Sequence, residues 1–225
     1  MSNNKKTSPL IILDESPYHL AIFKPHGIAS VGARGVIRTT LLDLVRERFG
    51  NNIFAVHRID KVKAGIIIFA KGNFAKFALE NAFKKRLVKK TYFALIEGRP
   101  AFKEKTIQTA LEKQETYNKK GPVALQSIQE KGVMATTKFA VINQINDDYC
   151  LIKALPITGK MHQIRIHLSF LGFPIVGDTT YGAKTKLDKN TIALVATMIE
   201  FPLPKGAKRI IDASKYFNIK TYYKK

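Results

Sequence analysis

The chain has 225 residues, of which 45% are hydrophobic and 10% aromatic. This length suggests one domain, and this share of apolar residues can bury a core, which excludes a disordered tail and a fibrous repeat. The longest apolar run, 64–70, is too short to span a membrane, and the stretch 10–13 is too short for a signal peptide. The single cysteine, Cys150, excludes an internal disulfide and a cysteine-rich zinc site. By elimination we expect a cytoplasmic protein.

The charge of the chain is strongly positive, with 38 lysines and arginines against 17 acidic residues and a net charge of +21. An excess this large favours a polyanionic partner, because each phosphate contact releases a condensed counterion. The alternative is a lysine-coated surface that serves only solubility. A membrane surface is a less suitable partner, since the sequence has no long basic amphipathic helix.

The predicted elements are short strands and a few helices. Alternating or buried apolar residues, bounded by turn signals, predict strands over 18–23, 66–70, 90–97, 136–142 and 149–155. Apolar stripes that begin near a capping residue predict helices over 40–49, 73–86 and 161–171. Residues 99–132 are polar and weakly patterned, so loops and short strands are expected there. Because strands outnumber helices and several pair with their neighbours in sequence, the predicted class is α+β with a mainly antiparallel sheet.

The last segment, 205–225, carries seven lysines and arginines, one acid and four aromatic residues. In one interpretation it contacts nucleic acid, since cations can hold phosphates while rings stack on bases. In the other, the rings pack on the core and the lysines face water. The sequence leaves both interpretations open.

Three segments combine charged or aromatic residues with a buried strand or an apolar stripe: 57–71, 90–98 and 158–182. A lone aspartate such as Asp60, just ahead of a buried strand, is usually a turn or capping residue. A tyrosine such as Tyr92 on a half-buried strand is more often a core residue than a ligand contact. His162 and His167 are five residues apart and so lie on different faces of the predicted helix, and no metal site is predicted.

Together these segments resemble the RluA-type family of RNA pseudouridine synthases. That family shows H-R-L-D-x-x-T-S-G, then K-x-Y-x-A-x-x-x-G, then T-G-R-x-H-Q-I-R-x-H-L with a trailing G-x-P-I-x-G-D-x-x-Y-G. The resemblance implies the pseudouridine synthase fold, a mixed, mainly antiparallel central sheet flanked by helices with a catalytic cleft. It divides the chain into a polar N-terminal tail (1–10), a catalytic domain (11–204) and the basic, aromatic C-terminal segment (205–225).

The resemblance also implies a function, a cofactor-free isomerase that detaches the uracil of an RNA uridine, rotates it and rejoins it through carbon. It implies Asp60 as the catalytic carboxylate, Tyr92 as the ring packed against the uracil, and Arg165 as the ion-pair partner of Asp60. An ionised carboxylate suits this chemistry, and a nearby guanidinium keeps it ionised. The expected partner is structured RNA, rRNA or tRNA, and the expected state is a monomer. Further implied site residues are one apolar pocket residue and four RNA contacts: Leu194, Arg58, Lys160, His162 and Gln163.

Several positions depart from the family pattern. Lys63-Ala64 stands where the family has Thr-Ser, Lys160 replaces an arginine, and Val195 replaces a usual histidine. These departures leave open a catalytically silent RNA-binding or ribosome-assembly protein that keeps the fold. A glycosidase would need a second carboxylate, and Asp178, the acid of the third segment, lies in a predicted turn where a structural role is expected.

Overall fold

The computed structural model describes residues 10–32, 38–118, 121–188, 191–204 and 206–223, with backbone alone for 115–118 and 121–124. The predicted N-terminal tail, 1–10, therefore lies outside the described residues except for Leu10. The helices are α1 (Leu41–Phe49), α2 (Gly72–Lys84) and α3 (Gln163–Phe170). The strands are β1 (Ile11–Glu15), β2 (His19–Lys24), β3 (Ile53–Ala55), β4 (Ala64–Lys71), β5 (Lys89–Glu97), β6 (Glu104–Asn118), β7 (Gly121–Ile128), β8 (Val133–Gln144), β9 (Tyr149–Pro156), β10 (Leu194–Pro202) and β11 (Lys208–Asp212).

These strands form one sheet in the order β1-β2-β4-β10-β5-β9-β8-β6-β7, with β3 paired to β4 and β11 to β10. Among the described strands, β4 and β10 pair in parallel and the remaining pairs are antiparallel. The predicted class, α+β with a mixed, mainly antiparallel sheet flanked by helices, is confirmed. The strand that joins β4 to β5 in space, β10, comes from much later in the chain.

The predicted start of α1 is confirmed by its cap. Thr40 accepts a hydrogen bond from the backbone of Asp43, whose carboxylate accepts from the backbone of Thr40, a reciprocal arrangement that satisfies two free donors. Gly50 then ends the helix at φ 84°, a conformation that favours glycine. The third helix begins two residues later than predicted, because His162 has a left-handed backbone (φ 54°).

The expectation of loops and short strands over 99–132 was wrong. Two long strands, β6 and β7, form a hairpin there, and β6 also pairs along β8. On the part of β6 whose side chains are described, Ile107 and Leu111 are buried and the others are not. This strand is therefore held mainly by backbone pairing with β7 and β8. Without an alternating apolar pattern, the sequence carried no strand signal.

The core fills both faces of the sheet, as the alternation along β4 demonstrates. Ile66 and Ile68 lie in the larger cluster, which includes residues of α2 and α3. Ile67 and Phe69 lie in a second cluster on the other face, with residues of α1. A strand that is buried on both faces has a continuous run of apolar residues in its sequence.

Side-chain hydrogen bonds hold the loop between β3 and β4, which carries Asp60, against the turn after β2. The Ser30 hydroxyl donates to the carbonyl of Ile59 (2.8 Å) and accepts from its N–H (3.2 Å). The buried Lys24 ammonium donates to three carbonyls, including that of Lys61 at 3.3 Å. These bonds fix the backbone on both sides of Asp60.

The C-terminal segment packs its aromatic rings on the core in the part that the structure describes. The Tyr222 side chain is buried, and its hydroxyl lies 2.9 Å from Nε2 of His26. The ring of Tyr216 lies 4.7 Å from that of Phe23, and Phe217 contacts Phe93 edge to face. Packing on the core is therefore the interpretation that the structure supports for these rings.

A Ser30→Ala variant tests how the loop is held. It removes both bonds to Ile59 and leaves a buried N–H and C=O unpaired, so the free energy of unfolding should fall by about 2–4 kcal/mol. Urea denaturation measures this change. The matched control is Ser127→Ala, because the buried Ser127 hydroxyl has no hydrogen-bond partner among the described residues. Equal stability of the two variants would show that the bonds from Ser30 to Ile59 do not hold the loop.

Candidate active site

A cleft of about 270 Å³ opens beside Asp60. The loop between β3 and β4 forms one wall, β5 the floor, and the segment from Pro156 to Ile164 the opposite wall. Of the residues singled out in the sequence, five line this cleft: Arg58, Asp60, Tyr92, Lys160 and Gln163. Three distant segments of the chain therefore meet at one site.

The carboxylate of Asp60 has three basic side chains around one oxygen. From Oδ2, the Lys63 ammonium is 2.9 Å away, and the nearest nitrogens of His162 and Arg165 are each 3.7 Å away. Of these, only the Lys63 ammonium is within hydrogen-bond distance, and it is poorly aligned with Oδ2, which is therefore buried without accepting a hydrogen bond from the described residues. Burial alone would raise the pKa of Asp60, but the charges of Lys63, of His162 (protonated below about pH 4) and of Arg165 outweigh it and lower the pKa to about 2. At neutral pH this site holds an ionised carboxylate with an unused acceptor.

The buried Arg165 gives its hydrogen bonds to Asp178, and its contact with Asp60 is a longer one. Its Nε and NH2 nitrogens lie 2.6 and 2.7 Å from the two oxygens of Asp178. Burial opposes the charge of Arg165, but Asp178 raises the pKa of the guanidinium above its ordinary value. The predicted partnership with Asp60 thus takes the form of a fixed cation at 3.7 Å. Because Asp178 is 1% exposed and engaged by Arg165, it is not the free second carboxylate that a glycosidase needs.

His162 faces Asp60 as a neutral side chain. Burial lowers the pKa of His162 to about 4, against the opposing effect of Asp60. The Tyr181 hydroxyl accepts from the backbone N–H of Gln126 and lies 2.9 Å from Nδ1 of His162. A Tyr181 hydroxyl that donates to Nδ1 leaves the proton of the neutral histidine on Nε2, the nitrogen that lies 3.7 Å from Oδ2 of Asp60. In that tautomer the Nε2–H of His162 faces the carboxylate of Asp60. The ring adds no charge to the site at neutral pH.

Tyr92 faces the cleft from β5, and Leu194 does not. The tyrosine is 7% exposed and lines the cleft. Its hydroxyl forms no hydrogen bond with the described residues. Burial, and then the charge of Asp60, raise the pKa of Tyr92 well above its ordinary value, so the phenol stays protonated. Leu194 is fully buried in the core between β4 and β5 and is not part of the cleft wall.

Gln163 has its side chain fully engaged. Its Oε1 accepts from the Thr158 hydroxyl (2.7 Å) and the Lys160 backbone (3.0 Å), while Nε2 donates to Thr136 and Thr137 (3.0 and 2.9 Å). This glutamine therefore shapes the loop 158–160. The RNA contact predicted for it is available only through a change of these bonds, whereas the side chains of Arg58 and Lys160 are exposed.

Two lysines of the cleft were not predicted as site residues. Lys63 was noted only as a departure from the family pattern, yet it is the cation nearest to Asp60. Its position three residues after Asp60 in a turn was the available signal, since the N–H of Lys63 bonds to the carbonyl of Asp60 (3.1 Å). Lys90 stands two residues before Tyr92 on a strand, and this spacing places both side chains on one face.

Within the described ranges, no three histidine, cysteine or acidic side chains are grouped so that they could hold a metal ion. Likewise, none of the described helices is long and apolar enough to cross a membrane.

Comparison with known proteins gives consistent matches. A family model described as RNA pseudouridylate synthase matches residues 18–170. "Ribosomal large subunit pseudouridine synthase C" of Rickettsia conorii is 35% identical over 181 residues, which cover 79% of this chain and 57% of that relative. The protein of the same name from Haemophilus ducreyi is 34% identical over 93% of this chain and 67% of its own length. The chain thus spans less than three-fifths of the Rickettsia relative.

A solved structure agrees with these matches. Human RNA Pseudouridylate Synthase Domain Containing 1 superposes with a TM-score of 0.74 at 25% identity, over 91% of this chain and 82% of that one. The resemblance found from the three segments is confirmed.

A Lys63→Met variant tests what keeps Asp60 ionised. Without the nearest cation, the pKa of Asp60 should rise from about 2 toward its ordinary value of 3.8. Because its folded pKa lies below the unfolded one, the Asp60 carboxylate stabilises the fold above about pH 4, and this contribution is lost as the pH falls toward 2. Lys63→Met should shrink that stabilisation, as measured by carboxyl ¹³C NMR titration and acid unfolding.

The control is Lys61→Met, which removes a lysine from the same loop that forms no ion pair with Asp60 among the described residues. The carboxyl ¹³C resonance of Asp60 is identified as the one that is missing from the spectrum of an Asp60→Asn variant. A titration of Asp60 that is the same in wild type and Lys63→Met would refute the assignment of Lys63.

Proposed function

Because the chain belongs to the RNA pseudouridylate synthase family, we propose that it converts uridine in RNA to pseudouridine, with Asp60 as the catalytic carboxylate. The observation that carries this proposal is the ionised Asp60 carboxylate, whose Oδ2 is buried beside the cleft and accepts no hydrogen bond from the described residues. A bound nucleotide would find there a charged acceptor that lies between Lys63 and Arg165.

The isomerisation breaks the glycosidic bond between N1 of uracil and C1′ of ribose and forms a bond from C5 of the same base to C1′. The proton on C5 is lost and N1 gains one, so substrate and product have the same composition. Cleavage either builds positive charge on the sugar or requires the removal of a sugar proton, and an ionised carboxylate serves both routes. Lys63 and Arg165 keep Asp60 ionised although it is largely buried.

The base has a suitable place in the cleft. A uridine in structured RNA must be flipped out of its stack, which costs on the order of a few kcal/mol, and aromatic and apolar walls offset that cost. In this proposal the ring of Tyr92 packs against the uracil, with Ile164 as an apolar neighbour. Arg58, exposed at the rim, fills the vacated stack or holds a phosphate.

For the substrate we propose ribosomal RNA, since the curated relatives reported above are named for the ribosomal large subunit. The net charge of +21 is consistent with a polyanionic partner. We propose further that the protein acts as a monomer in the cytoplasm. A catalytically silent RNA-binding protein would not need Asp60 ionised beside Tyr92, and the enzyme is therefore preferred.

An Asp60→Asn variant is expected to abolish isomerisation while RNA affinity stays within a few-fold of wild type. The change removes the charge used in chemistry at almost constant volume. The assay incubates purified protein with large-subunit rRNA transcribed in vitro, maps pseudouridine by sequencing, and measures binding separately. Asp147→Asn, at an exposed position outside the cleft, is the control. Pseudouridine formed by Asp60→Asn at the wild-type rate would refute the catalytic role, and free uracil as product would indicate a hydrolase.

A Tyr92→Phe variant distinguishes a ring in the core from a ring at the reacting base. If the hydroxyl takes part in proton transfer, the single-turnover rate should fall about a hundredfold at an unchanged melting temperature. Tyr216→Phe is the control, because that tyrosine packs on the core away from the cleft. An unchanged rate for Tyr92→Phe would leave Tyr92 as a packing residue.

A further inference from the structure

A second groove, of about 390 Å³, lies beside the catalytic cleft and shares part of its wall. Arg58, Lys90, Tyr92 and the loop 158–160 line both cavities. The far side of the groove is formed by the end of α2 and by the turn that follows it, 83–88. A chain that enters the catalytic cleft can therefore continue into this groove.

The rim of the second groove is entirely basic. It contains no acidic residue, and its five cations form no ion pair within the part of the chain that the structure describes: Arg58, Lys84, Arg86, Lys90 and Lys160. Other basic side chains of the protein are paired, such as Lys71 with Glu15 and Lys89 with Glu200. Burial, and then the charge of Lys63, lower the pKa of Lys90. A bound anion would stabilise the charged form of this lysine and so oppose that effect.

The floor of the groove is apolar and neutral. It is formed by Val56, Phe83, Val88 and Ile157, the last of which is 47% exposed. Phe83 stacks on the ring of His57, with centroids 4.7 Å apart. Burial lowers the pKa of His57 to about 3, and its Nε2 accepts from the N–H of Ile68, so this ring stays uncharged. An apolar floor below a basic rim matches a nucleotide, whose base has an apolar face and whose phosphate is anionic.

The backbone at Arg86 has an unusual conformation for its residue type. Arg86 follows α2 with φ 59°, in the left-handed region that glycine usually occupies at the end of a helix. Its N–H bonds to the carbonyl of Phe83 (3.1 Å), and its side chain lines the groove. The turn therefore holds an arginine where stability alone would favour glycine.

We propose that this groove binds an unpaired RNA nucleotide adjacent to the uridine in the catalytic cleft, with its base on the apolar floor and its phosphates at the basic rim. The inference rests on the proposed function and adds to it that the substrate is single-stranded beside its target. A duplex offers phosphates but keeps its base faces stacked, whereas an unpaired nucleotide offers both.

The test measures binding alone, so that it does not depend on catalysis. All proteins carry Asp60→Asn, and the probes are a fluorescein-labelled 12-nucleotide oligouridylate and a 12-base-pair RNA duplex. In the variant Lys84→Gln/Arg86→Gly, glycine suits the left-handed position, so the melting temperature should not fall. Its Kd for the single strand should rise about tenfold. The slope of log K against log salt should become less negative by about 1.4, which corresponds to two lost phosphate contacts at roughly 0.7 each.

The matched control is Lys184→Gln/Lys186→Gln, which removes two exposed cations near Glu97, at the opposite end of β5. It should leave the affinity for the single strand within twofold. Equal losses in the control and the groove variant, equal losses for duplex and single strand, or no binding of oligouridylate to the Asp60→Asn protein would each overturn the proposal. Since isomerisation of rRNA by the wild type is measured separately, failure of the groove and failure of the proposed function are distinguishable.

Discussion

The site depends on one electrostatic constraint, which is that a carboxylate must stay ionised where burial favours its neutral form. The structure meets this constraint with cations of two kinds. Arg165 is held at a fixed distance from Asp60 because Asp178 takes both of its hydrogen bonds. Lys63 lies nearer, at 2.9 Å, and its side chain is itself buried. Together the two cations hold the carboxylate in its charged form.

A carboxylate in such a field is useful only if its backbone does not move. The loop of Asp60 has no regular secondary structure, and its position is fixed by the side chains of Lys24, at the end of β2, and Ser30, in the turn that follows. The same turn is joined to the C-terminal segment by His26 and Tyr222. Catalytic groups on loops are commonly positioned by a rigid scaffold, and here the scaffold includes buried polar side chains as well as the sheet.

The sequence could predict those parts of the molecule that have a local signature. The cap of α1 at Thr40, the buried strand β4 and the hairpin of β8 and β9 follow from residue patterns a few positions long, and the structure confirms them. The long strands over 99–132 were missed because their side chains carry little apolar alternation, although they pair with neighbours in sequence. The assembly of the site is non-local. That Arg165 is engaged by Asp178 depends on side-chain directions that spacing alone does not give.

The place of β10 in the sheet has a consequence for how the protein is made. Asp60 precedes β4 and Tyr92 lies on β5, but these strands are not neighbours, because β10 lies between them and pairs with both. At Gly65 the backbones approach so closely that an added Cβ would lie 2.4 Å from Ala196. A ribosome that has translated the first 190 residues has produced both side chains without the strand that joins them. During synthesis the two edges stay unpaired and open to other chains, and the site that contains Asp60 and Tyr92 is complete only once β10 has joined the sheet.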